Sequence, residues 1–267
     1  MPLSSAVRPP KGKSPVLWVA GAYAAAFRVA PSLAFALALS AVGATHADPL
    51  SAAGLAYAEG RFLEAAELAE AAGNADGYVL ASESVERHGT YVAAKADRRA
   101  LYERAMRLGE QAIRLDGANA RAHFQAAQAV GLYAETLGPL KARGYVGRVR
   151  EGMEKALELD PGFAEAVLGL GSWHAGVIDG AGRMIARIAY GATAKQAIAH
   201  FDQALKLAPD FKEAHYEYAK GLLAINPRRH RERARELLNR AIALPAENAV
   251  GRALHEKAVK RLTELDG

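Results

Sequence analysis

Small and apolar residues recur along this chain with the spacing of amphipathic helices, and one arrangement returns four times. A small or apolar residue is followed by a second four positions later, a third three positions on, and a leucine three further on. These sets are Ala105, Gly109, Ala112 and Leu115; Val149, Met153, Ala156 and Leu159; Ala197, Phe201, Ala204 and Leu207; and Ala234, Leu238, Ala241 and Leu244. A motif that returns every few tens of residues predicts a solenoid, in which neighbouring repeats bury each other's apolar faces.

A second helix with its own fixed spacing follows three of these motifs. The residues at offsets 0, 3, 4 and 7 are His123, Ala126, Ala127 and Val130; Val167, Leu170, Gly171 and His174; and His215, Tyr218, Ala219 and Leu222. Those offsets place each set on one face of a helix, and the small third residue lets a neighbouring helix approach closely. Two antiparallel helices with small residues at their crossing resemble the tetratricopeptide repeat, and 197–223 fits that pattern best.

The same periodicity predicts helices along the body of the chain and no segment with the alternation of a strand. Predicted helices span about 78–88, 93–115, 119–136, 143–159, 162–176, 194–208, 211–225, 229–243 and 247–265, after a degenerate repeat over 50–72. We therefore predict an all-α, right-handed α-solenoid of about four tetratricopeptide-like helix pairs. Inter-helix insertions are predicted near 136–144, 177–192 and 225–229, and such insertions often mark the binding face of a solenoid.

The N-terminal residues 1–47 have the composition of a targeting segment. They contain four basic and no acidic residues, two apolar runs over 16–27 and 29–44, and small residues around Ala47. A basic start, an apolar core and a small-residue exit are typical of a secretory signal peptide. An apolar stretch of about 20 residues can also anchor a protein in a membrane. We predict that 1–47 is a signal peptide or membrane anchor, that 48–267 forms the solenoid domain, and that the protein is periplasmic or anchored to the inner membrane.

The charge of the remaining chain argues against nucleic acid as a partner. Subtracting the four basic residues of 1–47 from the 34 Lys and Arg of the whole chain leaves 30, against 29 Asp and Glu. A nearly neutral body lacks the basic surface of a nucleic-acid-binding protein. The chain contains no cysteine, which excludes disulfides and thiolate metal sites and suits an oxidising compartment.

Two stretches resemble one family more specifically than they resemble tetratricopeptide repeats in general. They are Gly131–Lys141 followed by Val149–Pro161, and Leu170–His174 followed by a long insertion and Ala197–Phe201. The second begins Leu-Gly-Ser-Trp-His, and with its insertion it resembles the regulator-of-microtubule-dynamics family and its bacterial relatives over about residues 95–225. The resemblance implies an all-helical binding protein without catalytic activity. It does not carry microtubule binding over to this chain.

Residue types that carry catalysis or bind metals form no recognisable site. His123 and His215 occupy equivalent positions in different repeats, so they cannot converge on one metal ion. We interpret them as amphipathic rings that cover the seam between helices. The sequence contains no His-Glu-x-x-His, no phosphate-binding loop and no Gly-x-Ser-x-Gly. We therefore predict no catalytic residues, no metal, no cofactor and no enzymatic activity.

The insertion 177–192 contains a predicted short helix with two distinct faces. Its apolar face carries Met184, Ile185, Ile188 and Ala189, and its basic face carries Arg183 and Arg187. Two interpretations stay open. The helix packs back on the solenoid, or it closes over the concave groove as a lid or docks on a partner or a membrane surface.

The concave groove is the predicted binding site, because the second helix of each pair faces it. The residues two before, one after and five after the His123 position and its equivalents are Arg121, Phe124 and Gln128; Glu165, Leu168 and Ser172; and Glu213, Tyr216 and Lys220. This mixture of aromatic, charged and amide groups suits an extended peptide. We expect Tyr216 to be an accessible contact whose replacement by alanine weakens binding without unfolding the protein, whereas Ala219 is structural.

These features predict a non-catalytic protein–protein interaction scaffold of the cell envelope that holds a protein or peptide partner in its concave groove. The alternative is a periplasmic small-ligand-binding accessory subunit of a transporter. The shape of the groove discriminates between them, because an open groove suits a peptide and a sealed cavity suits a small ligand. Membrane association through residues 1–47 is compatible with both.

Overall fold

The computed structural model describes residues 49–267, which form twelve α-helices and no strand. In chain order they are α1 (Pro49–Glu59), α2 (Phe62–Ala71), α3 (Ala75–Tyr91), α4 (Arg98–Leu115), α5 (Ala120–Glu135), α6 (Pro139–Leu159), α7 (Ala164–Ala181), α8 (Arg183–Tyr190), α9 (Ala194–Leu207), α10 (Lys212–Ile225), α11 (Pro227–Ala243) and α12 (Ala249–Asp266). The prediction of an all-α solenoid is confirmed. The predicted signal peptide or anchor, 1–47, lies outside the described residues. Within 49–267, no helix is both long and apolar enough to cross a bilayer.

The helices form five consecutive pairs in the described part of the chain, rather than the four predicted. The pairs are α2 with α3, α4 with α5, α6 with α7, α9 with α10, and α11 with α12, while α1 precedes them and α8 is an insertion. The predicted degenerate repeat over 50–72 therefore joins the wrong two helices, because α2 pairs with α3, which follows it, and not with α1. The first pair lacks the leucine-ended motif of the other four pairs, so sequence periodicity did not reveal it.

The predicted insertion at 136–144 is largely part of a helix. α6 begins at Pro139, where the fixed φ of proline suits the first helical turn, and it runs for 21 residues. The predicted insertion at 225–229 is only a tight turn, in which the Asn226 side chain accepts a hydrogen bond from the Arg229 backbone N–H at 3.0 Å. Only 177–192 adds a separate element to the repeat pattern.

Small residues hold the helices close together at their crossings, as predicted. A Cβ atom on Gly152 of α6 would lie 2.7 Å from the Ala127 Cβ of α5. A Cβ on Gly171 of α7 would lie 2.8 Å from the Phe201 ring, and one on Gly221 of α10 would lie 2.6 Å from the same ring. Phe201 is fully buried, so α7, α9 and α10 are packed around one aromatic side chain.

The histidines at equivalent repeat positions have a structural role. The His123 Nε2 lies 2.9 Å from the Gly117 carbonyl oxygen, and the His215 Nε2 lies 2.8 Å from the Pro209 carbonyl oxygen. In both cases the ring reaches the turn six residues earlier and ties it to the second helix of the pair. The interpretation that these rings cover the seam between helices agrees with this geometry.

A buried lysine joins the last two helix pairs. The Lys212 ammonium group, at the start of α10, donates hydrogen bonds to the carbonyl oxygens of Ala241 at 2.7 Å and Leu244 at 2.8 Å. Those carbonyls lie at the C-terminal end of α11, where the helix has no internal donors left and where a cation is favoured. This contact fixes the position of α11 beside α10.

The superhelix closes on itself, which local sequence patterns did not predict. α12 packs against both α1 and α3, so the last pair contacts the first. Gly60, which has a φ of 89°, leaves room for the close approach of Ala249, whose Cβ would lie 2.9 Å from a Cβ at position 60. The Lys257 ammonium group lies 4.2 Å from the centre of the Tyr91 ring across the same junction.

Candidate functional site

The concave side of this ring encloses a cavity of about 2300 Å³. The inner helices α3, α5, α7, α10 and α12 line it, and α1, α6 and α8 contribute at its edges. The inner helices run in the same direction, because an outer helix returns the chain before each of them. We call the end where they begin the N-terminal rim and the end where they finish the C-terminal rim.

All nine residues predicted for the groove line this cavity. Each inner helix contributes three of them at offsets 0, 3 and 7, so they form three parallel rows from the N-terminal to the C-terminal rim. The rows are Arg121, Phe124 and Gln128 on α5; Glu165, Leu168 and Ser172 on α7; and Glu213, Tyr216 and Lys220 on α10. The structure brings the nine together on one surface, and their role in binding a partner stays a prediction.

Tyr216 is buried more deeply than expected. Only 8% of its surface is exposed, and Leu168 on the neighbouring helix is 6% exposed. Both belong to the hydrophobic core, so Tyr216 is not the accessible contact that was expected, and we now expect Tyr216→Ala to lower stability as well. Helix–helix packing on either side of α10 covers the ring, and periodicity within one helix does not report that packing.

Sequence reasoning missed the contribution of α3. Glu83, Glu86 and Thr90 line the cavity at the same offsets of 0, 3 and 7 that the other inner helices show. Applying the same offsets to the preceding repeat would have identified these three residues from the sequence. The first pair lacks the leucine-ended motif, however, and its inner helix carries Glu86 where the others carry Phe124, Leu168 and Tyr216.

A network of charged groups crosses the cavity between α3 and α10. The Arg87 guanidinium donates two hydrogen bonds to the Glu213 carboxylate, from Nη1 to Oε1 at 3.0 Å and from Nη2 to Oε2 at 3.3 Å. Glu83 accepts a hydrogen bond from the Tyr57 hydroxyl at 2.7 Å and lies 3.7 Å from Arg121. Side chains from α1, α3, α5 and α10 therefore meet at one place inside the ring.

Burial alters the acidity of this network. Burial raises the pKa of Glu86 to about 7, although the nearby Arg87 and a hydrogen bond from the Gln125 amide at 2.8 Å both favour its charged form. Burial also raises the pKa of Glu165. Burial opposes the charge on Arg87, but Glu213 and Glu86 outweigh it and hold the pKa of Arg87 above its ordinary value.

We expect Glu86→Gln to change how stability depends on pH. A carboxyl group whose folded-state pKa is raised favours the fold while protonated, and that contribution is lost as pH rises through the folded-state value. For Glu86 the pKa rises from 4.5 to about 7, which corresponds to a loss of up to about 3 kcal/mol between those pH values. The free energy of unfolding of Glu86→Gln, minus that of the wild type, should therefore increase across this window in urea titrations.

The exposed Glu158, changed to glutamine, serves as the control for Glu86→Gln. Because its side chain is about two-thirds exposed, this substitution should change stability little. Taking differences removes the contributions of the other titrating groups, because both proteins share them. A flat profile for Glu86→Gln would mean that this carboxyl group ionises as easily in the fold as in the unfolded chain.

The insertion forms a short helix at the C-terminal rim. Ile185, Ala189 and Tyr190 of α8 reach the edge of the cavity, but Ala186 is its only buried residue. Gly182 and Gly191 flank the helix with φ values of 77° and 68°, so the chain turns sharply on both sides. α8 packs on α7 through Ala186, which agrees with the first interpretation, but Met184, Ile185 and Ile188 do not take part and are all more than half exposed.

Two further histidines stack beside the core and away from the cavity. The rings of His174 and His200 have centres 5.5 Å apart and planes 10° from parallel. Burial lowers the pKa of His174 to about 4, and the neighbouring His200 and Arg150 add to the shift, so the ring is neutral at physiological pH. Among the residues from 49 onwards, no three His, Asp or Glu side chains are grouped closely enough to hold a metal ion.

A comparison with models of protein families assigns the chain to a family. The sequence model described as regulator of microtubule dynamics protein 1-3 matches residues 62–266, from α2 to the end of α12. The chain belongs to the regulator of microtubule dynamics family. The match is longer than the 95–225 over which the sequence resemblance was noted. It begins at α2, in agreement with the pairing of α2 with α3 in this family member.

A solved structure shows the same fold. The chain is similar to TTC0263, a thermophilic tetratricopeptide-repeat protein of Thermus thermophilus, with a TM-score of 0.59 and 17% identity, over 79% of this chain and 97% of that one. It also matches YrrB, a tetratricopeptide-repeat protein with an unusual peptide-binding site, with a TM-score of only 0.38 and 18% identity, over 78% and 90%. No curated protein matches the chain significantly. The family and the fold are those of helical repeat proteins, which typically act as non-catalytic interaction scaffolds.

Proposed function

We propose that this member of the regulator of microtubule dynamics family is a non-catalytic interaction scaffold of the cell envelope, which holds an extended segment of a partner protein in its concave cavity. The observation that carries the proposal is the continuous cavity lined by all five inner helices. Solenoids present such concave surfaces to extended ligands, and here the surface is long enough to span every repeat.

The size of the cavity favours a polypeptide over a small molecule. Pockets for small ligands commonly enclose about 300–1,000 Å³, because they must bury most of the ligand surface. The cavity of about 2300 Å³ is more than twice that range. The closure of the ring by α12 favours the second candidate, a small-ligand-binding accessory subunit of a transporter, because it bounds the space laterally. The volume outweighs the closure, since a small ligand would contact only part of the wall.

The chemistry of the wall also suits a peptide. Gln128 and Ser172 can donate and accept hydrogen bonds, and Arg121 and Lys220 can bind backbone carbonyls or carboxylates. Phe124 adds an aromatic surface, which packs against the Phe163 ring at 5.1 Å and is thereby held in place. Extended segments present backbone amides and carbonyls at regular spacing, which rows of polar groups on parallel helices can match.

Site-specific photo-crosslinking in the producing cell tests the proposal. A photoreactive residue at Gln128 or Ser172, both on the cavity wall, should form covalent adducts with a protein. The matched control is Arg107, an exposed position on the outer helix α4, which should form none. Introducing Arg121→Ala should reduce the adduct yield at Ser172, because it removes a polar contact on the neighbouring row.

The two candidate functions give different results in this experiment. A partner held in the cavity gives the same adduct from both inner positions. If neither position forms an adduct, and native mass spectrometry of the purified protein shows a bound compound of a few hundred daltons, the small-ligand function replaces the scaffold.

The cell-envelope location rests on the sequence of residues 1–47. We expect export with cleavage after Ala47, because a basic start, an apolar core and small residues precede Asp48. Sequencing the N-terminus of the mature protein from fractionated cells measures this. A chain that begins before Val29 and stays in the membrane fraction would establish an anchor instead of a cleaved signal.

A further inference from the structure

Two segments at the C-terminal rim expose an unusual amount of apolar surface. They are residues 136–150, which include the start of α6, and residues 180–195, which include α8; we call them together the basic rim. Arg150 joins them, because its Nη1 donates a hydrogen bond to the Tyr190 carbonyl oxygen at 3.4 Å. Leu140 is 75% exposed, Ile188 is 74% exposed and Met184 is 69% exposed, and these are the three most exposed large hydrophobic residues between 49 and 267.

Two apolar residues of α8, Met184 and Ile188, point away from the protein. At 3.6 residues per turn, the midpoint between Met184 and Ile188 lies about 180° around the helix from Ala186, whereas Ile185 lies nearer the edge of the cavity. Ala186 is the one buried position of α8, so the Met184 and Ile188 side chains project outward, opposite the contact with the solenoid. A helix that only filled a gap would bury these side chains, since burial stabilises them and exposure does not.

The charge of the basic rim has one sign. Residues 136–150 and 180–195 contain seven Lys and Arg and no Asp or Glu, and the exposed Glu135, Glu151 and Asp179 border them. Arg148 pairs with Glu110, and Arg150 pairs with Glu154. The other five form no ion pair with any residue of the described part of the chain, and they are Lys141, Arg143, Arg183, Arg187 and Lys195.

We propose that the basic rim docks on the surface of an anionic lipid bilayer, with α8 lying in the plane of the headgroups and Met184 and Ile188 inserted beside the acyl chains. A short helix with an apolar face, a basic face and low overall hydropathy is suited to this interfacial position and is too short to span a bilayer. Leu140 adds a second apolar contact from α6. The inference goes beyond the proposed function and does not depend on what the cavity binds.

Charge complementarity selects the bilayer as the occupant. Unpaired cations on an otherwise nearly neutral protein match the negative potential of anionic lipids, which attracts clustered Lys and Arg. The apolar side chains stand out from the surface, whereas a protein interface also needs shape complementarity and a recess to bury them. A laterally fluid bilayer accepts protruding side chains without a matching surface.

A fluorescent probe on α8 tests the docking directly. The chain has no cysteine, so Ile188→Cys gives the full-length protein a single attachment site for an environment-sensitive dye. Vesicles that contain roughly one-third phosphatidylglycerol in phosphatidylcholine should shift its emission to the blue and raise it by about twofold or more, because the dye enters the interface. Phosphatidylcholine vesicles alone should produce little change. The probe reports its own position, so binding by residues 1–47 does not produce the signal.

Two controls separate docking by the basic rim from nonspecific adsorption of the dye or of the protein. The same dye on Leu115→Cys, an exposed position at the end of α4 on the opposite rim, should not respond. Arg183→Glu with Arg187→Glu should abolish the response at position 188. Arg107→Glu with Arg114→Glu, which makes the same change in net charge on exposed residues of α4, should leave it intact.

The remaining outcomes overturn the proposal. They are an unchanged dye at position 188, an equal response to both kinds of vesicle, or a response that survives reversal of Arg183 and Arg187. If vesicles have no effect but polyglutamate raises the emission, the basic rim binds acidic protein and not lipid. Circular dichroism melts that match the wild type establish that each variant is folded, and raising the salt concentration should weaken a docking that depends on charge.

Discussion

Phe201→Ala should lower the free energy of unfolding by about 3–5 kcal/mol, which is typical for removing a fully buried aromatic side chain. The ring has no exposed surface and stacks on Tyr218 with centres 4.8 Å apart. It also fills the space between Gly171 of α7 and Gly221 of α10, so its loss leaves a cavity at the junction of two helix pairs. Because solenoid stability depends on contacts between neighbouring repeats, the unfolding transition should also become less cooperative.

Leu207→Ala on the same helix is the matched control for Phe201→Ala. Leu207 is 44% exposed, so its truncation should have a much smaller effect in the same urea titration followed by circular dichroism. Equal effects of the two substitutions would contradict the central position of Phe201.

Gly221→Ala provides an independent check of the same contact. A Cβ at position 221 would lie 2.6 Å from two atoms of the Phe201 ring, so the substitution should destabilise the wild type through overpacking. In the Phe201→Ala background that clash is absent, and only a close contact with the Ala175 Cβ at 3.3 Å remains. Gly221→Ala should then be neutral or stabilise the protein by up to about 1 kcal/mol, since alanine favours a helix more than glycine does. If Gly221→Ala destabilises the wild type but not the Phe201→Ala variant, the contact between position 221 and the Phe201 ring is established.

Arg87→Met should destabilise the fold by about 3–5 kcal/mol, because it leaves the Glu213 carboxylate without the partner that compensates its burial. The pair joins α3 in the first helix pair to α10 in the fourth, and both side chains are less than one-fifth exposed. Adding Glu213→Gln to Arg87→Met removes the unpaired charge and should recover a large part of the loss. Urea titrations of the two single variants and the double variant measure the coupling.

An exposed pair supplies the control for Arg87→Met. Arg107 and Glu103 lie 3.3 Å apart on α4, with more than half of each side chain exposed. Solvent-exposed pairs contribute about 0–1 kcal/mol, so Arg107→Met should change stability little. If Arg87→Met were as mild as Arg107→Met, the pair across the cavity would contribute nothing to the closed ring.

Repeat spacing predicted the helices α4 to α7 and α9 to α12 and the nine cavity residues, because these depend on contacts within a helix pair. The offsets 0, 3 and 7 place residues such as Gln128 and Ser172 on one helix face wherever the helix lies. The same reasoning mispredicted Tyr216, whose burial depends on the helices beside α10. It also misplaced the first pair, which lacks the leucine-ended motif, and no local pattern contains the partners on α1, α5 and α10 that stabilise the charges of α3.

By itself, the sequence determined an all-helical solenoid, the direction of its inner helices, the rows of residues on its concave side and the family resemblance. Only the tertiary structure decided that the superhelix closes, that Arg87 meets Glu213, 126 residues away, and that Met184 and Ile188 of α8 point outward. The physical reason is the distance along the sequence between the residues that make each contact. Helix formation and pairing follow from residues a few turns apart, whereas closure accumulates small rotations between successive pairs, and outward exposure depends on what the rest of the fold leaves uncovered.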